Sequence, residues 1–381
     1  MWNKPSLGYC ARAKAIVDEV SRFYKVQDQI SGTHLALRWN GRTRFTVPRD
    51  AAAQQACWNL FRPGWLEFPL RAMARLPRLM SVASCVEAEG LALIRDTIGK
   101  EAGLSCSRAG APGPWTKDII LLLNKKTVEP LFIIKAGCGE AVDRLLRNEA
   151  NWLRNLPDQP ALVDHIPELV AHHTGTSLSF VAETPLSGKL DYRFGKLHYT
   201  FLRKFQEYSR QTMRLQESRL YHNLCTRLND LSGLMSEAWS TRLNKGMRRI
   251  EQSFSGSPIL MVAAHNDFTP WNIRVERNVA KVFDWEYADY EHLPLFDPLH
   301  FAMLPMVLRS RSTAGIVQCM NQTLQMSQMW LGKEFCNKAQ TQALAYLMNL
   351  CTLYLWSERR NYGTNPVPES YTAIIDLLCQ E

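Results

Sequence analysis

The chain has 381 residues, 46% of them hydrophobic and 21% charged, which is ordinary for a globular protein. No run approaches the roughly 18 apolar residues of a membrane span, and no secretory signal opens the chain, so we expect a cytoplasmic protein. The net charge of +9 comes from scattered Lys and Arg residues without a nucleic-acid motif, so no nucleic-acid partner is expected. The ten cysteines form no C-x-x-C pair, which favours reduced thiols over a zinc site.

Residues 1–103 precede any recognisable motif and are predicted to form an N-terminal α/β extension. Apolar spacing predicts a helix over residues 11–24, and residues 33–47 resemble a hairpin around Asn40-Gly41. The segment 61–80 mixes arginines with apolar and aromatic residues. It either packs its apolar side on the rest of the protein or makes peripheral contact with an anionic membrane, and the sequence leaves both open.

Between residues 104 and 186 the pattern changes to short apolar runs. Residues 116–123 and 130–134 predict two strands, and residues 166–186 predict a strand, a turn and a strand. A helix is predicted between these pairs, because apolar residues recur there at helical spacing. The segment therefore predicts a small antiparallel sheet with one helix.

Residues 187–381 are mainly helical in pattern. Leucines and aromatic residues recur at helical spacing over residues 197–252 and again after Asp297. An apolar strand over residues 259–264 interrupts the helices and leads into a polar segment. We expect a helical domain that carries this segment as a loop, a hairpin and a second loop.

The polar segment holds the chemistry-bearing residues of the chain. The stretch HNDFTPWN places His265, Asp267 and Asn272 in the spacing H-x-D-x-x-x-x-N, and Asp284 follows in FDWE. Phosphoryl transfer from a metal–nucleotide complex requires these groups. One carboxylate lies beside the attacking hydroxyl, and a second carboxylate and an amide oxygen bind Mg²⁺. The other interpretation is structural: the aspartates form turns and Asn272 caps a helix.

HNDFTPWN followed by FDWE resembles the catalytic and metal loops of the aminoglycoside phosphotransferase and choline kinase family, relatives of the protein kinases. Asn266 stands where protein kinases have Arg, and Trp285-Glu286 where they have Phe-Gly. The resemblance implies that Asp267 is the catalytic base and that Asn272 and Asp284 bind Mg²⁺. It also implies that His265 is a scaffold residue and that Asp297 braces the catalytic loop.

The same resemblance assigns nucleotide-binding residues upstream. Lys135 closes a predicted strand, and Glu149 on the following helix is its expected partner at the nucleotide phosphates. The turn with Gly110 and Gly113 is expected to cover the phosphates, although a plain hairpin turn is the alternative. Glu183, Thr184 and Leu186 fall where the hinge of the family binds the adenine edge.

The implied fold is α+β: a bilobal protein-kinase-like fold with a small antiparallel N-lobe sheet and a mainly helical C-lobe. The predicted boundaries are 1–103 for the extension, 104–186 for the N-lobe and 187–381 for the C-lobe. The expected activity is Mg²⁺-assisted transfer of the γ-phosphate of ATP, with GTP left open, to a hydroxyl acceptor. A sugar or a lipid-linked saccharide suits this basic chain better than a polycationic drug. Oligomeric state is left open.

Two other functions compete with this interpretation. A kinase-fold protein without turnover would bind nucleotide as a scaffold or regulator, although Lys135, Asp267, Asn272 and Asp284 are all present. A metal-dependent hydrolase would use His265, Asp267 and Asp284, but it gives no role to Lys135 and Glu149.

Overall fold

The computed structural model describes residues 24–28, 34–39, 42–60, 80–87, 94, 96, 102–108, 115–124, 126–176, 178–359 and 367–380. The chain divides into two compact units, Met1–Asn151 with Pro167–Pro185 and Trp152–Ile166 with Leu186–Glu381. The basic segment 61–79, Gly110 and Gly113 lie outside the described residues. Of the helix predicted over residues 11–24, only Tyr24 is described, and it begins a strand.

The first unit is built on one antiparallel sheet. Its elements are β1 Tyr24–Asp28, β2 His34–Trp39, β3 Arg42–Pro48, α1 Ala51–Leu60, β4 Met80–Glu87, β5 Ala102–Arg108, β6 Asp118–Asn124, β7 Pro130–Gly137, α2 Glu140–Asn155, β8 Leu169–His173 and β9 Ser179–Glu183. Within the described residues the strand order is β1-β4-β2-β3-β5-β6-β7-β9-β8. The predicted hairpin is present, because β2 pairs with β3 from His34 opposite Pro48 to Trp39 opposite Arg42.

The sheet continues across residue 103. β3 pairs with β5 through Phe45 opposite Arg108 and Thr46 opposite Ser107, and β5 pairs with β6. Strands on both sides of the predicted boundary therefore share one hydrogen-bonded ladder. The boundary between an extension and an N-lobe at residues 103 and 104 stays a prediction.

The interior strand β6 is buried on both faces. Successive side chains of a strand point to opposite faces of the sheet. Ile120 and Leu122 pack with Ile134 and Phe180 on one face, and Leu121 and Leu123 pack with Val47, Ala53 and Cys57 on the other. This burial explains why β6 is a continuous apolar run rather than an alternating one.

The second unit is mainly helical. Its elements are β10 Lys189–Leu190, α3 Lys196–Ser209, β11 Gln211–Met213, α4 Arg219–Leu231, α5 Glu237–Ser253, β12 Ile259–Ala264, β13 Ile273–Glu276, β14 Val279–Val282, β15 Asp289–His292, α6 Phe296–Leu308, α7 Thr313–Trp330, α8 Ala339–Arg359 and α9 Val367–Leu378. The N-cap serines Ser218, Ser236 and Ser312 accept hydrogen bonds from backbone N–H groups in the first turns of α4, α5 and α7. No helix in the described ranges combines the length and the apolar content that a membrane crossing requires.

Two short sheets interrupt these helices and carry the polar segment. β13 and β14 form a hairpin that pairs with β10, and β12 lies between β11 and β15. β11 was not predicted, because residues 197–252 have an almost continuous helical pattern. Gln211 pairs with Met261 and Met213 pairs with Ile259. This pairing with the edge of β12 stabilises the extended conformation of the segment.

Candidate active site

A buried ion pair lies between β7 and α2 of the first unit. The Nζ atom of Lys135 donates a hydrogen bond to Oε1 of Glu149, and the two residues are 5% and 0% exposed. The sequence predicted that these residues would pair, and the structure brings them together. A second buried carboxylate, that of Glu183, lies 3.7 Å from the same ammonium.

The position of Glu183 follows from the strand register. In the antiparallel pair β7 and β9, Ile133 lies opposite Glu183 and Lys135 lies opposite Val181. Glu183 is therefore the diagonal neighbour of Lys135 on the same face of the sheet, within reach of a long side chain. The sequence pattern predicted only a backbone role for Glu183, because a pattern does not give the register between strands.

The predicted hinge residues follow β9 directly. The chain passes from the first unit to the second between Pro185 and Leu186. The backbone N–H of Thr184 donates to the carbonyl of Glu168 at 3.0 Å, and the Thr184 hydroxyl accepts from the Glu168 N–H at 2.9 Å. The backbone donor of Thr184 is therefore already used within the first unit.

In the second unit, Asp297 holds the loop that follows β12. Its Oδ2 atom accepts a hydrogen bond from the backbone N–H of His265 at 2.8 Å, and its Oδ1 atom accepts from that of Asn266 at 3.0 Å. Asp297 is 1% exposed, and this burial raises its pKa to about 6 although the two N–H donors lower it. The contacts are those of the brace that the family resemblance implied.

The ring of His265 connects the two loops of the segment. Its Nδ1 atom accepts a hydrogen bond from the backbone N–H of Asp267 at 3.3 Å. Its Nε2 atom donates to the carbonyl of Phe283 at 3.1 Å. His265 is fully buried and both ring nitrogens are engaged, so it is a scaffold residue of this loop.

Two loop residues have left-handed backbone conformations, which Asn and Asp tolerate better than most residues. Asn266 has φ 61° and Asp284 has φ 72°. The Asn266 side chain donates from Nδ2 to the carbonyl of Tyr287 at 3.0 Å and to Nε2 of His292 at 3.1 Å. The residue that replaces the kinase arginine thus ties the loop to β15 and the turn before it.

The three residues assigned to transfer and metal binding lie at one end of the β13–β14 hairpin. The Asn272 Nδ2 atom donates to the Asp267 carbonyl at 3.1 Å and to Asp267 Oδ2 at 2.7 Å. The Phe283 N–H donates to the Asn272 carbonyl at 3.1 Å, which brings the following residue, Asp284, alongside. The structure therefore brings Asp267, Asn272 and Asp284 together.

The groups around Asp267 shift the pKa of its carboxyl group in opposite directions. Burial raises the pKa of the Asp267 carboxyl, and the negative charge of Asp284 raises it further. Contacts with His300 and Asn272 lower it. The side chain is still 24% exposed, so it remains accessible to a reacting group.

A cluster of buried aromatic side chains packs against both loops. Phe268 is fully buried and stacks on Phe201, with ring centroids 5.8 Å apart. Trp285 is also fully buried, stacks on Trp152 at 6.1 Å and meets His265 edge-on at 4.7 Å. These contacts anchor the residues next to Asp267 and Asp284, so that the carboxylates project from a rigid base.

One residue beside Asp267 was not predicted from the sequence. His300, on α6, places its Nε2 atom 3.4 Å from Asp267 Oδ1. No motif singled it out, because it lies one turn after Asp297 in an otherwise apolar helix. Its nearness to Asp267 depends on how α6 packs, which the sequence pattern does not give.

Comparison with solved structures finds the same fold in an aminoglycoside phosphotransferase and in a choline/ethanolamine kinase family protein. A choline/ethanolamine kinase family protein from Mesorhizobium loti aligns with a TM-score of 0.53 and 12% identity, over 76% of this chain and 95% of that chain. A thermostable mutant of aminoglycoside phosphotransferase APH(4)-Ia, in a ternary complex with ADP and hygromycin B, aligns with a TM-score of 0.50 and 11% identity, over 77% of this chain and 98% of the other. The α+β kinase-like fold predicted from the sequence is thereby confirmed.

Sequence comparison alone gives nothing further. No protein-family model matches the chain, and no curated protein matches it. At 11% and 12% identity the structural likeness establishes the fold and not the activity.

Proposed function

We propose that the protein is an ATP-dependent phosphotransferase that transfers the γ-phosphate to a hydroxyl group of a small molecule or saccharide. The observation that carries the proposal is the direct contact of Asn272 with Asp267, 2.7 Å from Nδ2 to Oδ2, with Asp284 at the same end of the hairpin. A proton acceptor and two oxygen ligands for a hard cation are the groups that this reaction needs. The kinase-like fold is consistent with this assignment.

In the proposed reaction, Asp267 accepts the proton of the acceptor hydroxyl. The O–H bond breaks, the oxygen electron pair forms the new O–P bond, and the bond from the γ-phosphorus to the leaving oxygen of ADP breaks. Little covalent chemistry is asked of the protein, because the transition state is loose and catalysis depends on positioning and charge. The brace from Asp297 and the aromatic cluster support that positioning.

The residues present fit a magnesium ion. The Asn272 amide nitrogen is used by two hydrogen bonds to Asp267, so Oδ1 is the atom that Asn272 can offer to a cation. Asp284 adds a carboxylate on a left-handed turn, and both are oxygen donors of the kind that Mg²⁺ prefers. Mg²⁺ bound there would neutralise charge on the phosphates of the nucleotide.

The nucleotide role of the first unit is proposed for Lys135. Its ammonium is held by Glu149 and has Glu183 nearby, so its side chain is fixed in place rather than solvated. A fixed ammonium suits contact with nucleotide phosphates, as the family resemblance implies. ATP is the proposed donor, since the solved phosphotransferase complex contains an adenine nucleotide.

A saccharide-type acceptor is the finer part of the proposal. The net charge of +9 disfavours a polycationic acceptor and favours a neutral or anionic one. Trp271, beside Asn272 in the loop, is 39% exposed and offers an aromatic face for stacking on a sugar ring. Tyr354 is half-buried, and this burial together with the charge of Asp267 raises its pKa to about 12.

The hydrolase alternative is disfavoured by His265, whose two ring nitrogens are both occupied by hydrogen bonds. To separate an enzyme from a nucleotide-binding scaffold, thermal stability would be compared with Mg²⁺–ATP, ATP alone and Mg²⁺ alone. Labelled γ-phosphate would then be followed into a cell extract and the labelled product identified. Stabilisation by Mg²⁺–ATP with label transfer supports the proposal. Binding without any transfer across a broad panel of hydroxyl compounds would favour the scaffold.

A further inference from the structure

A buried histidine faces the proposed catalytic base. His300 is 5% exposed, and its Nε2 atom lies 3.4 Å from Asp267 Oδ1. Within the described part of the chain this nitrogen makes no hydrogen bond of ordinary geometry, and the Asp267 carboxylate lies close enough for one to form. Hydrogen bonds of catalytic groups are often long without substrate and shorten when the reacting complex forms.

The other ring nitrogen of His300 is held by a tyrosine. Its Nδ1 atom lies 3.2 Å from the hydroxyl of Tyr346 on α8, and Tyr346 is 3% exposed. Burial raises the pKa of Tyr346 well above its ordinary value, so the hydroxyl keeps its proton. Donation from this hydroxyl to Nδ1 would leave the ring proton on Nε2, because the partner of one ring nitrogen decides the state of the other.

We propose that His300, oriented by Tyr346, is a positioning residue that fixes the carboxylate of Asp267 for proton abstraction. The inference rests on the proposed function of Asp267 as the base. His300 touches neither nucleotide nor acceptor in this scheme; it acts through the carboxylate alone.

Each carboxylate oxygen of Asp267 has a side-chain nitrogen beside it. Asn272 donates to Oδ2, and His300 Nε2 lies 3.4 Å from Oδ1. A hydrogen bond from Nε2–H that shortens in the reacting complex would therefore oppose rotation about the Cβ–Cγ bond from the second side. A carboxylate oxygen has two lone pairs, so one remains to accept the hydroxyl proton. Without His300 the carboxylate is held at one oxygen only, and small displacements of a base are costly in rate.

The first measurement reads the imidazole directly and does not depend on turnover. Long-range nitrogen–proton NMR spectra of the full-length protein report the tautomer of each histidine, and the His300→Gln variant assigns the His300 signals. We expect Nε2 of His300 to carry a proton. A ring protonated only at Nδ1 would leave a bare nitrogen opposite the carboxylate and would overturn the proposal.

The second measurement is kinetic, with hydrolysis of Mg²⁺–ATP as the readout and water as the acceptor. His300→Leu removes the donor and should lower kcat about tenfold with the KM for Mg²⁺–ATP unchanged. His300→Gln restores an N–H toward Asp267 and should keep kcat within about threefold of the parent protein. If the Leu and Gln variants lose kcat equally, or if KM rises with kcat constant, the residue only packs the helix.

The role of Tyr346 is separated from general packing by a double-mutant cycle. Tyr346→Phe should lower kcat about threefold in the parent protein and leave it unchanged in the His300→Gln background, where no tautomer needs selecting. Equal losses in both backgrounds would contradict the coupling. Tyr199→Phe is the matched control, since it removes another buried hydroxyl, one that bonds Ser327 at 3.1 Å on a different helix pair, and should not change kcat.

Failure of this inference is distinguishable from failure of the proposed function. If the parent protein neither binds nor consumes Mg²⁺–ATP, the phosphotransferase proposal fails. If the parent turns over and His300→Leu matches it, the base is active and only the positioning role of His300 is overturned.

Discussion

Asn272 donates its side-chain amide to Asp267 twice, to the carbonyl at 3.1 Å and to Oδ2 at 2.7 Å. The proposed cation ligand and the proposed base are therefore one hydrogen-bonded unit. A substitution at Asn272 acts on the orientation of the base as well as on the cation. The two effects can be separated by the choice of replacement.

Asn272→Asp keeps an oxygen ligand for Mg²⁺ but loses the amide donor and places a negative charge beside Asp267. We expect Mg²⁺–ATP affinity to be kept or increased while kcat falls about 100-fold, because the base is displaced and repelled. Calorimetry gives the affinity and Mg²⁺–ATP hydrolysis gives kcat. A variant that loses affinity and keeps kcat would contradict this division of roles.

Asp267→Asn removes the proton acceptor with almost no change in shape. The expected loss in kcat is about 100-fold to 10,000-fold, the range that general-base catalysis supplies, with Mg²⁺–ATP affinity unchanged within about twofold. Asp158→Asn, at an exposed position of the second unit, makes the same chemical change and should have no effect. Full activity of the Asp267 variant would refute the assignment of the base.

Asp284→Ala tests the metal role apart from the base. Affinity for Mg²⁺–ATP should fall to that for ATP without Mg²⁺, because the carboxylate ligand is lost. The comparison is made by calorimetry with Mg²⁺ and with excess chelator, for the parent protein and the variant. If Mg²⁺ still increases the affinity of the variant for ATP, the metal is bound by other residues and the assignment of Asp284 is wrong.

Local sequence spacing was sufficient to predict the loop that carries Asp267, Asn272 and Asp284. All three lie in one segment that folds as a loop, a hairpin and a loop, so the pairing of the hairpin strands already brings them to one end of it. The strand that ends near Lys135 and the helix that carries Glu149 were also predicted from local sequence. Each is a single element whose apolar residues are visible in the sequence.

Glu183 and His300 required information that no local pattern contains. Glu183 reaches Lys135 through the register of β7 against β9, and His300 reaches Asp267 through the packing of α6. β11 was missed because a helical pattern was overridden by pairing with β12. In each case a residue or strand distant in sequence decides the local structure or contact. Secondary-structure propensity and apolar periodicity depend only on residues nearby in sequence.

The two carboxylates around Lys135 are expected to differ in their contribution to stability. Glu149→Gln leaves the buried ammonium without its hydrogen-bonded counter-charge and should lower the free energy of unfolding by about 3 kcal/mol or more. Glu183→Gln should cost less, because Glu183 lies 3.7 Å away and its loss relieves repulsion between two buried carboxylates. Denaturant unfolding of both variants measures the difference, and equal losses would show that Lys135 depends on the pair jointly.

Buried histidines are expected to make the second unit sensitive to acid. His292 is 4% exposed, and burial, with the charge of Arg227, lowers its pKa to about 3. Burial lowers the pKa of His198 to about 4. Because both values lie below the ordinary 6.5, the unfolded chain binds these protons first as the pH falls, and the free energy of unfolding decreases below about pH 6.5.

His292→Gln tests this linkage at one position. The His292 Nε2 atom accepts a hydrogen bond from Asn266 Nδ2 at 3.1 Å, and the amide oxygen of glutamine can replace that acceptor without titrating. Between about pH 7.5 and about pH 5.5 the variant should lose about 1.4 kcal/mol less stability than the parent protein. The pKa of Asp297 is raised to about 6, so its protonation on acidification stabilises the fold. This contribution is present in both proteins and cancels in the comparison. Denaturant unfolding at the two pH values gives the difference, and identical pH dependence in the two proteins would mean that His292 does not stay neutral in the fold.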